Sequence, residues 1–318
     1  MTIYIVVPCY NEQDILDSTI GQLTDKLESL ESKAVVTSNS KLVFVDDGSN
    51  DTTWDIICNA AKNTLSVIGV RLSKNEGHQN ALMAGMLFSL ENDCDAVITI
   101  DADLQQDINA IDVFIEKFQE GNDIVYGVRN SRDTDGCFKR ISANAFYRFM
   151  NHMGCNVIKN HADYRLLSRR ALAALAEYRE TNLFLRGIIP MLGFKSCIVS
   201  FDVFERAAGD SKYTLRKMLH LAANGITAFS VKPMHIVMGT GIMISLISIA
   251  MILYNVIAQF CGKTVSGWAS LSISIWLLMG VSIFSTGLMG EYIGRIYLEI
   301  KQRPRYNIQE VIKNTHAK

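Results

Sequence analysis

Lys41-Leu42-Val43-Phe44-Val45-Asp46-Asp47-Gly48-Ser49 and Ala96-Val97-Ile98-Thr99-Ile100-Asp101-Ala102-Asp103-Leu104-Gln105 are built alike: a short apolar run that ends abruptly in carboxylates. Short β-branched runs closed by turn residues read as buried strands. In open α/β sheets, ligands sit at the carboxyl ends of such strands. Asp101 and Asp103, one residue apart with Gln105 beside them, are an oxygen donor set for a hard divalent cation that keeps positions for phosphate oxygens. The set points to a metal-held diphosphate, as in a nucleotide sugar. Asp and Gly also merely punctuate loops. One cluster supports either reading; two at strand ends, in this order, favour chemistry.

Outward from these runs the first 130 residues alternate strand and helix signals. Ile3–Val7, Lys41–Val45, Ser66–Leu72, Ala96–Ile100 and Asp123–Val128 read as strands, and Glu12–Leu30, Thr52–Lys62, Gln79–Leu90 and Ile108–Phe118 as helices. Asn50 and Asp51 offer N-cap chemistry to the second helix and Asp107 to the fourth. The alternation predicts a mostly parallel sheet covered by helices on both faces.

The remainder departs from a soluble enzyme. The chain has 318 residues, 49% of them hydrophobic, and a mean hydropathy of +0.15. Pro233 to Gly262 contains no Asp, Glu, Lys or Arg, and neither does Thr264 to Gly290. Each stretch exceeds the roughly 20 apolar residues that cross about 30 Å of hydrocarbon. Buried core helices are the alternative, but two such stretches in tandem fit a membrane hairpin better. Only Lys263 lies between them, whereas Lys232 precedes and Arg295, Lys301, Arg303 and Arg305 follow. By the positive-inside rule both termini and the catalytic part are cytoplasmic, in a multi-pass protein of the cell membrane. From Lys212 to Phe229 apolar residues recur at helical spacing with Arg216, Lys217 and His220 around the turn, the pattern of an interfacial helix. The seven cysteines form no CxxC pair, which fits reduced thiols, and Cys9 reads as a small buried residue. A net charge of −1 leaves no footprint for nucleic acid. The middle third is basic (Arg129, Arg132, Lys139, Arg140, Arg148, Arg165, Arg169, Arg170, Arg186), which suits phosphate oxyanions as well as a solvated face.

Four segments then resemble the inverting glycosyltransferases of family 2: Val6-Val7-Pro8-Cys9-Tyr10-Asn11-Glu12, Val45-Asp46-Asp47-Gly48-Ser49, Asp101-Ala102-Asp103-Leu104-Gln105 and Ala162-Asp163-Tyr164-Arg165-Leu166-Leu167. More narrowly they resemble the polyprenyl-phosphate group, which includes bactoprenol glucosyltransferases and dolichol-phosphate mannosyltransferases. Phe184-Leu185-Arg186-Gly187, Gly209-Asp210-Ser211-Lys212-Tyr213 and the two-span tail lean to the bacterial enzymes. The resemblance implies a GT-A catalytic fold, Rossmann-like, over residues 1–210. An interfacial region (211–231), two transmembrane helices (232–262 and 266–295) and a cytoplasmic tail (296–318) follow. It implies a nucleoside pocket of Pro8, Tyr10, Glu12, Asp46 and Asp47, with Asp46 accepting from the base. Mg²⁺ or Mn²⁺ is implied on Asp101, Asp103 and Gln105, and phosphate or acceptor contacts at Arg129, Arg140, Arg186 and Lys212. Asp163, with Arg165 beside it, stands where the family places its candidate base. Glu76 and Met191 occupy positions where the family usually has aromatic residues, which bears on the sugar.

The partners so implied are a nucleotide sugar, undecaprenyl phosphate and membrane lipids, with room for a homo-oligomer (dimer or tetramer) and a small membrane flippase. UDP-glucose is the first donor by resemblance, then UDP-N-acetylglucosamine, then GDP-mannose. The acceptor phosphate, with a second pKa of about 6, is mostly dianionic at neutral pH. Asp163 can therefore orient the acceptor or fix Arg165 as readily as act as a base. His78 could touch the donor or be structural. Two other readings compete. A processive polysaccharide synthase would carry Gln-x-x-Arg-Trp, which is absent. An inactive scaffold has no need of a costly cluster of like charges.

Overall fold

The computed structural model describes residues 1–130, 161–180, 183–202 and 268–314, with isolated positions between 237 and 246. The expected interfacial helix lies outside these residues, as do Arg140, Lys212 and all but those isolated positions of the first uncharged stretch.

The alternation predicted for the first 130 residues is present. Strands β1 (Ile3–Cys9), β2 (Lys41–Asp46), β3 (Val67–Leu72), β4 (Ala96–Thr99) and β5 (Ile124–Arg129) are separated by α1 (Leu16–Ser32), α2 (Thr53–Asn63), α3 (His78–Glu91) and α4 (Ala110–Gln119). β6 (His161–Ser168), α5 (Arg169–Ala176), α6 (Leu185–Met191), β7 (Ser196–Phe201), α7 (Trp268–Ile300) and β8 (Ile308–Lys313) follow. Asp51 stands one residue and Asp107 two residues before the N-cap position of its helix, so neither is a side-chain cap. Asp51 accepts from the Thr53 amide at 3.0 Å and Asp107 from the Asn109 amide at 2.9 Å, each tightening the turn that launches its helix.

The eight strands form one sheet in the order β7-β5-β6-β4-β1-β2-β3-β8. β1 pairs in parallel with β2 and β4, as do β2 with β3 and β5 with β7. β6 and β8 run antiparallel to their neighbours. Every residue of β1 is buried, as expected of a central strand covered on both faces. α1 meets the sheet through Leu16, Ile20, Leu23, Leu27 and Leu30, one helical stripe, all buried. Truncating a fully buried leucine such as Leu23 to alanine costs about 2–5 kcal/mol.

The chain divides into two units. The first comprises Met1–Arg148, Asn156–Thr214 and Pro304–Lys318, and so holds the whole sheet. Residues 296–318 are thus more than a tail: the helix runs on to Ile300, and β8 completes the sheet edge. In the second unit, α7 spans 33 residues with no charge before Glu291. Leu271, Leu278, Phe284 and Ile293 stand exposed on it. Among the described residues no helix is long and apolar enough to cross a membrane; many side chains of α7 lie outside them.

Candidate active site

From β1 the chain builds outward through β2 and β3, then returns to lay β4 on the other side of β1. This reversal opens a crevice beyond the ends of β1 and β4, where α/β sheets bind ligands. Pro8 and Cys9 end β1, and Asp101 and Asp103 follow β4. Asp163 reaches the same edge because β6 runs antiparallel: Thr99 pairs with Arg165, and the Thr99 hydroxyl donates to the Asp163 carbonyl at 2.6 Å.

A cavity of about 240 Å³ lies here, lined by Pro8, Cys9, Tyr10, Glu12, Asp47, Asn75, Gly77, His78 and Ala81. Four of the five expected nucleoside-pocket residues are on its wall. Asp46 is not. It is fully buried, accepts from the Ser49 amide at 3.1 Å and ion-pairs with Arg71 Nε at 3.3 Å. Asp47 instead faces the cavity and accepts from the amides of Glu76 (2.8 Å) and Gly77 (3.0 Å). Burial pushes its carboxyl above the ordinary value against those two amides. Gly48 has φ +68°, and a Cβ there would lie 2.5 Å from the Lys74 carbonyl carbon; only glycine fits both the turn and the approach. Cys9 is buried, and its thiol is pushed well up by burial and by Asp46 and Glu12, so it is a packing residue.

The second acidic cluster turns tightly. Leu104, though not glycine, has φ 44°, a backbone strain found most often at functional sites. The Gln105 amide donates to Asp103 Oδ1 at 3.3 Å. Asp101 Oδ2 accepts from Gln106 Nε2 at 2.5 Å, while Asp101 Oδ1 and Gln106 Oε1 are buried without a hydrogen-bond partner. Burial, with Asp163 and Asp103 nearby, pushes the Asp101 carboxyl up even against the opposing pull of His78. A hard cation relieves both conditions, because it takes oxygen ligands and favours the ionised carboxylate. Among the described residues no three or more His, Cys, Asp or Glu form a closed cage. Two carboxylates with positions left for phosphate oxygens are the donor set Mg²⁺ commonly uses, so the residues fit an open divalent site.

Asp163 is held from three sides. Arg165 Nη2 donates to Oδ1; Arg186 donates to Oδ2 at 2.9 Å and to Oδ1 at 3.3 Å. His78 Nε2 lies 3.5 Å from Asp163 Oδ2 and 3.6 Å from Asp101 Oδ1, bridging the two carboxylates. Burial alone would raise the Asp163 carboxyl, but Arg186, Arg165 and His78 hold it well below the usual range. Burial alone would also lower the His78 pKa; the bond to Asp163 and the charge of Asp101 reverse this. Arg186, expected at a phosphate, is here a partner of Asp163. Arg129 ends β5, half-buried, one residue past the Val128–His161 pair. Gln106 and Arg71 join the site without a signal in the sequence; His78, which the sequence left between a donor contact and a structural role, bridges two carboxylates.

Residues 4–176 match the family described as "Glycosyl transferase family 2". The uncharacterized glycosyltransferase YkoT of Bacillus subtilis is 49% identical over 96% of this chain and 90% of its own length. The prophage bactoprenol glucosyl transferase homolog of Escherichia coli is 37% identical over 98% of this chain and 100% of its own. Among solved structures, glucosyl-3-phosphoglycerate synthase from Mycobacterium tuberculosis aligns with a TM-score of 0.47 and 18% identity, over 72% of this chain and 78% of that one. The GT-A-like sheet, the acidic clusters beyond β2 and β4 and the near full-length identity to curated transferases converge: this chain is an enzyme belonging to glycosyltransferase family 2.

Proposed function

We propose that the enzyme transfers glucose from UDP-glucose to a polyprenyl phosphate at the cytoplasmic membrane face, with inversion at the anomeric carbon. The observation that carries this reading is the network of buried Asp163 and Arg165 with partly exposed Arg186 and His78, next to Asp101. It presents the partly exposed Arg186 guanidinium to an oxyanion, holds Asp163 too acidic to serve as a base and ties His78 between Asp163 and Asp101, which suits an acceptor already ionised. A hydroxyl acceptor would need its proton removed; a phosphate dianion does not. The identity to relatives named bactoprenol glucosyl transferase, 36% over 99% of the chain for the Shigella phage SfII protein, supports the acceptor class.

The cavity walled by Pro8, Tyr10, Glu12 and Asp47 takes the nucleoside, and His78, on its wall and 3.6 Å from Asp101 Oδ1, supports a diphosphate directed towards Asp101 and Asp103. Asp101, Asp103 and Gln105 are the residues to hold Mg²⁺ or Mn²⁺, whose chemistry is to neutralise charge developing on the leaving diphosphate. Asp163 orients Arg165 and Arg186, and the partial exposure of Arg186 supports its role as a contact for the acceptor phosphate. Arg129, Arg140 and Lys212 supply further phosphate contacts. Two uncharged stretches, flanking basic residues and exposed apolar side chains on α7 support a membrane hairpin. It would keep the site at the headgroups, where a polyprenyl acceptor must stay.

The test is a panel of radiolabelled UDP-glucose, UDP-N-acetylglucosamine and GDP-mannose with undecaprenyl phosphate and Mg²⁺ or Mn²⁺. Glucose label should enter the lipid phase. Label in a polymer would favour a processive synthase, and no transfer from any donor would leave only an inactive fold.

A further inference from the structure

The chain does not finish at α7. It returns to the first unit as a strap fastened at four places. The Arg305 guanidinium donates to the Tyr178 carbonyl. The Asn307 carbonyl accepts from the Ser73 amide at 2.9 Å. β8 pairs with β3 from Leu72–Ile308 to Ile68–Lys313. The Asn314 side chain donates to the Lys62 carbonyl of α2 at 2.7 Å. The docking is close-packed: a Cβ built on Gly69 of β3 would lie 2.8 Å from Ile312 Cγ2 and 2.6 Å from Ile57 Cγ2.

What the strap grips is the root of the cavity wall. Ser73–Gly77 continues directly from β3 and lines the cavity through Asn75 and Gly77, with His78 opening α3 behind them. Asp47 holds this loop by the amides of Glu76 and Gly77, and Asn307 holds its first residue. One step back, Arg71 is the ladder partner of Glu310 and the ion-pair partner of Asp46. Without β8, β3 would be an open sheet edge and the loop would hang from it unsupported at one end.

We propose that Arg305–Asn314 is a positioning element of the donor site: docked on β3, it fixes the Ser73–Gly77 wall against Asp47, and the cavity takes a nucleoside diphosphate well only in the docked state. The proposal rests on the reading of this cavity as the donor pocket. Affinity falls in proportion to the competent fraction, so docking in about one molecule in ten weakens donor binding about tenfold.

The experiment uses the full chain carrying Ile312→Asp, which puts a charge into the packed face of β8, and Gln309→Ala, an exposed neighbour, as control. Hydrogen exchange without ligand and the Kd for UDP with Mn²⁺ are both measured. In Ile312→Asp, exchange at residues 73–77 should speed up about tenfold while β1 and β4 stay protected, and UDP should bind about tenfold more weakly. Gln309→Ala should match the parent in both. A chain ending at Arg303 should behave like Ile312→Asp and recover on addition of a peptide of residues 304–315. Unchanged exchange at 73–77 in both altered chains overturns the proposal. So does exchange rising equally in β1 and β4, or UDP affinity that holds while the loop opens. A parent that binds no UDP removes the donor reading instead; the exchange result then still decides whether the strap holds the loop.

Discussion

Replacing Asp163 with asparagine separates positioning from proton abstraction. Asp163 is 6% exposed and pairs with Arg165, which is 1% exposed. Asparagine keeps an acceptor oxygen but removes the charge, leaving a buried guanidinium uncompensated, a loss of about 3–5 kcal/mol of stability. For a unit of this size each kcal/mol is worth about 2–4 °C, so Tm should fall by roughly 6–20 °C. Assays therefore belong at low temperature, with the folded fraction checked by melting. A carboxylate held well below its usual range is a weak base, because general bases work best with a pKa near the operating pH. Positioning predicts about a 10- to 100-fold loss of transfer, about 1.4–2.7 kcal/mol in the barrier. The sign of the pH dependence follows from the depressed pKa. The stability that Asp163 contributes is present above its unfolded pKa of about 3.9 and is lost only as pH falls through the lower folded value. The part made with the Arg165 and Arg186 guanidinium groups is constant between pH 5 and 9, whereas the part shared with His78 is lost as pH rises through that imidazole's raised pKa; the acceptor phosphate should give the pH–rate limb near 6. The deciding measurement is the rate of Asp163→Asn at pH 8 with saturating donor and acceptor. A loss beyond about a thousandfold with both affinities intact, or a limb at a carboxylate pKa, would refute positioning.

Asp103→Asn should cost about 100-fold or more in transfer while leaving the melting curve near the parent's, with partial recovery at most in excess Mn²⁺; parent activity with the metal chelated would remove the metal assignment. Gly48→Ala, forced to φ +68° against the Lys74 backbone, should cost about 1–3 kcal/mol of stability and raise the donor KM more than it changes kcat, as read by melting and initial rates. Burial raises the Cys94 thiol to about 12 and the Cys9 thiol well up, so iodoacetamide at pH 8 followed by peptide mass mapping should leave both unmodified in the folded chain. With the native cysteines replaced, Lys263→Cys should react with an impermeant reagent on whole cells; labelling of a cysteine at position 318 instead would reverse the proposed topology.

The motifs made much of this site legible. Apolar runs ending in Asp46-Asp47 and Asp101-Ala102-Asp103 announce both strands and chemistry, since few other patterns place carboxylates directly after buried β-structure. What stayed hidden depends on distance in three dimensions. Asp46 and Asp47 are adjacent in sequence, yet one is sealed under the turn and the other faces the cavity. The motif carries both and cannot say which. Arg186 meets Asp163 across 23 positions, and no local spacing encodes that pairing. β8 was the least legible: Ile308-Gln309-Glu310-Val311-Ile312-Lys313 lacks the clean alternation of a half-buried strand, because only Ile312 packs inward.

That late strand sets a timetable for biosynthesis. Asn314 meets Lys62 across 252 positions, an interval a ribosome covers in about 12–50 s at about 5–20 residues per second. β3 therefore waits with one edge open while α7 and everything before it are made. An exposed edge of this kind recruits other strands and invites aggregation. The nascent sheet is consequently most vulnerable during that interval, and a message truncated after α7 yields a chain that never closes it. The cell meets this sheet with β3 covered only once Ile308–Lys313 has left the ribosome.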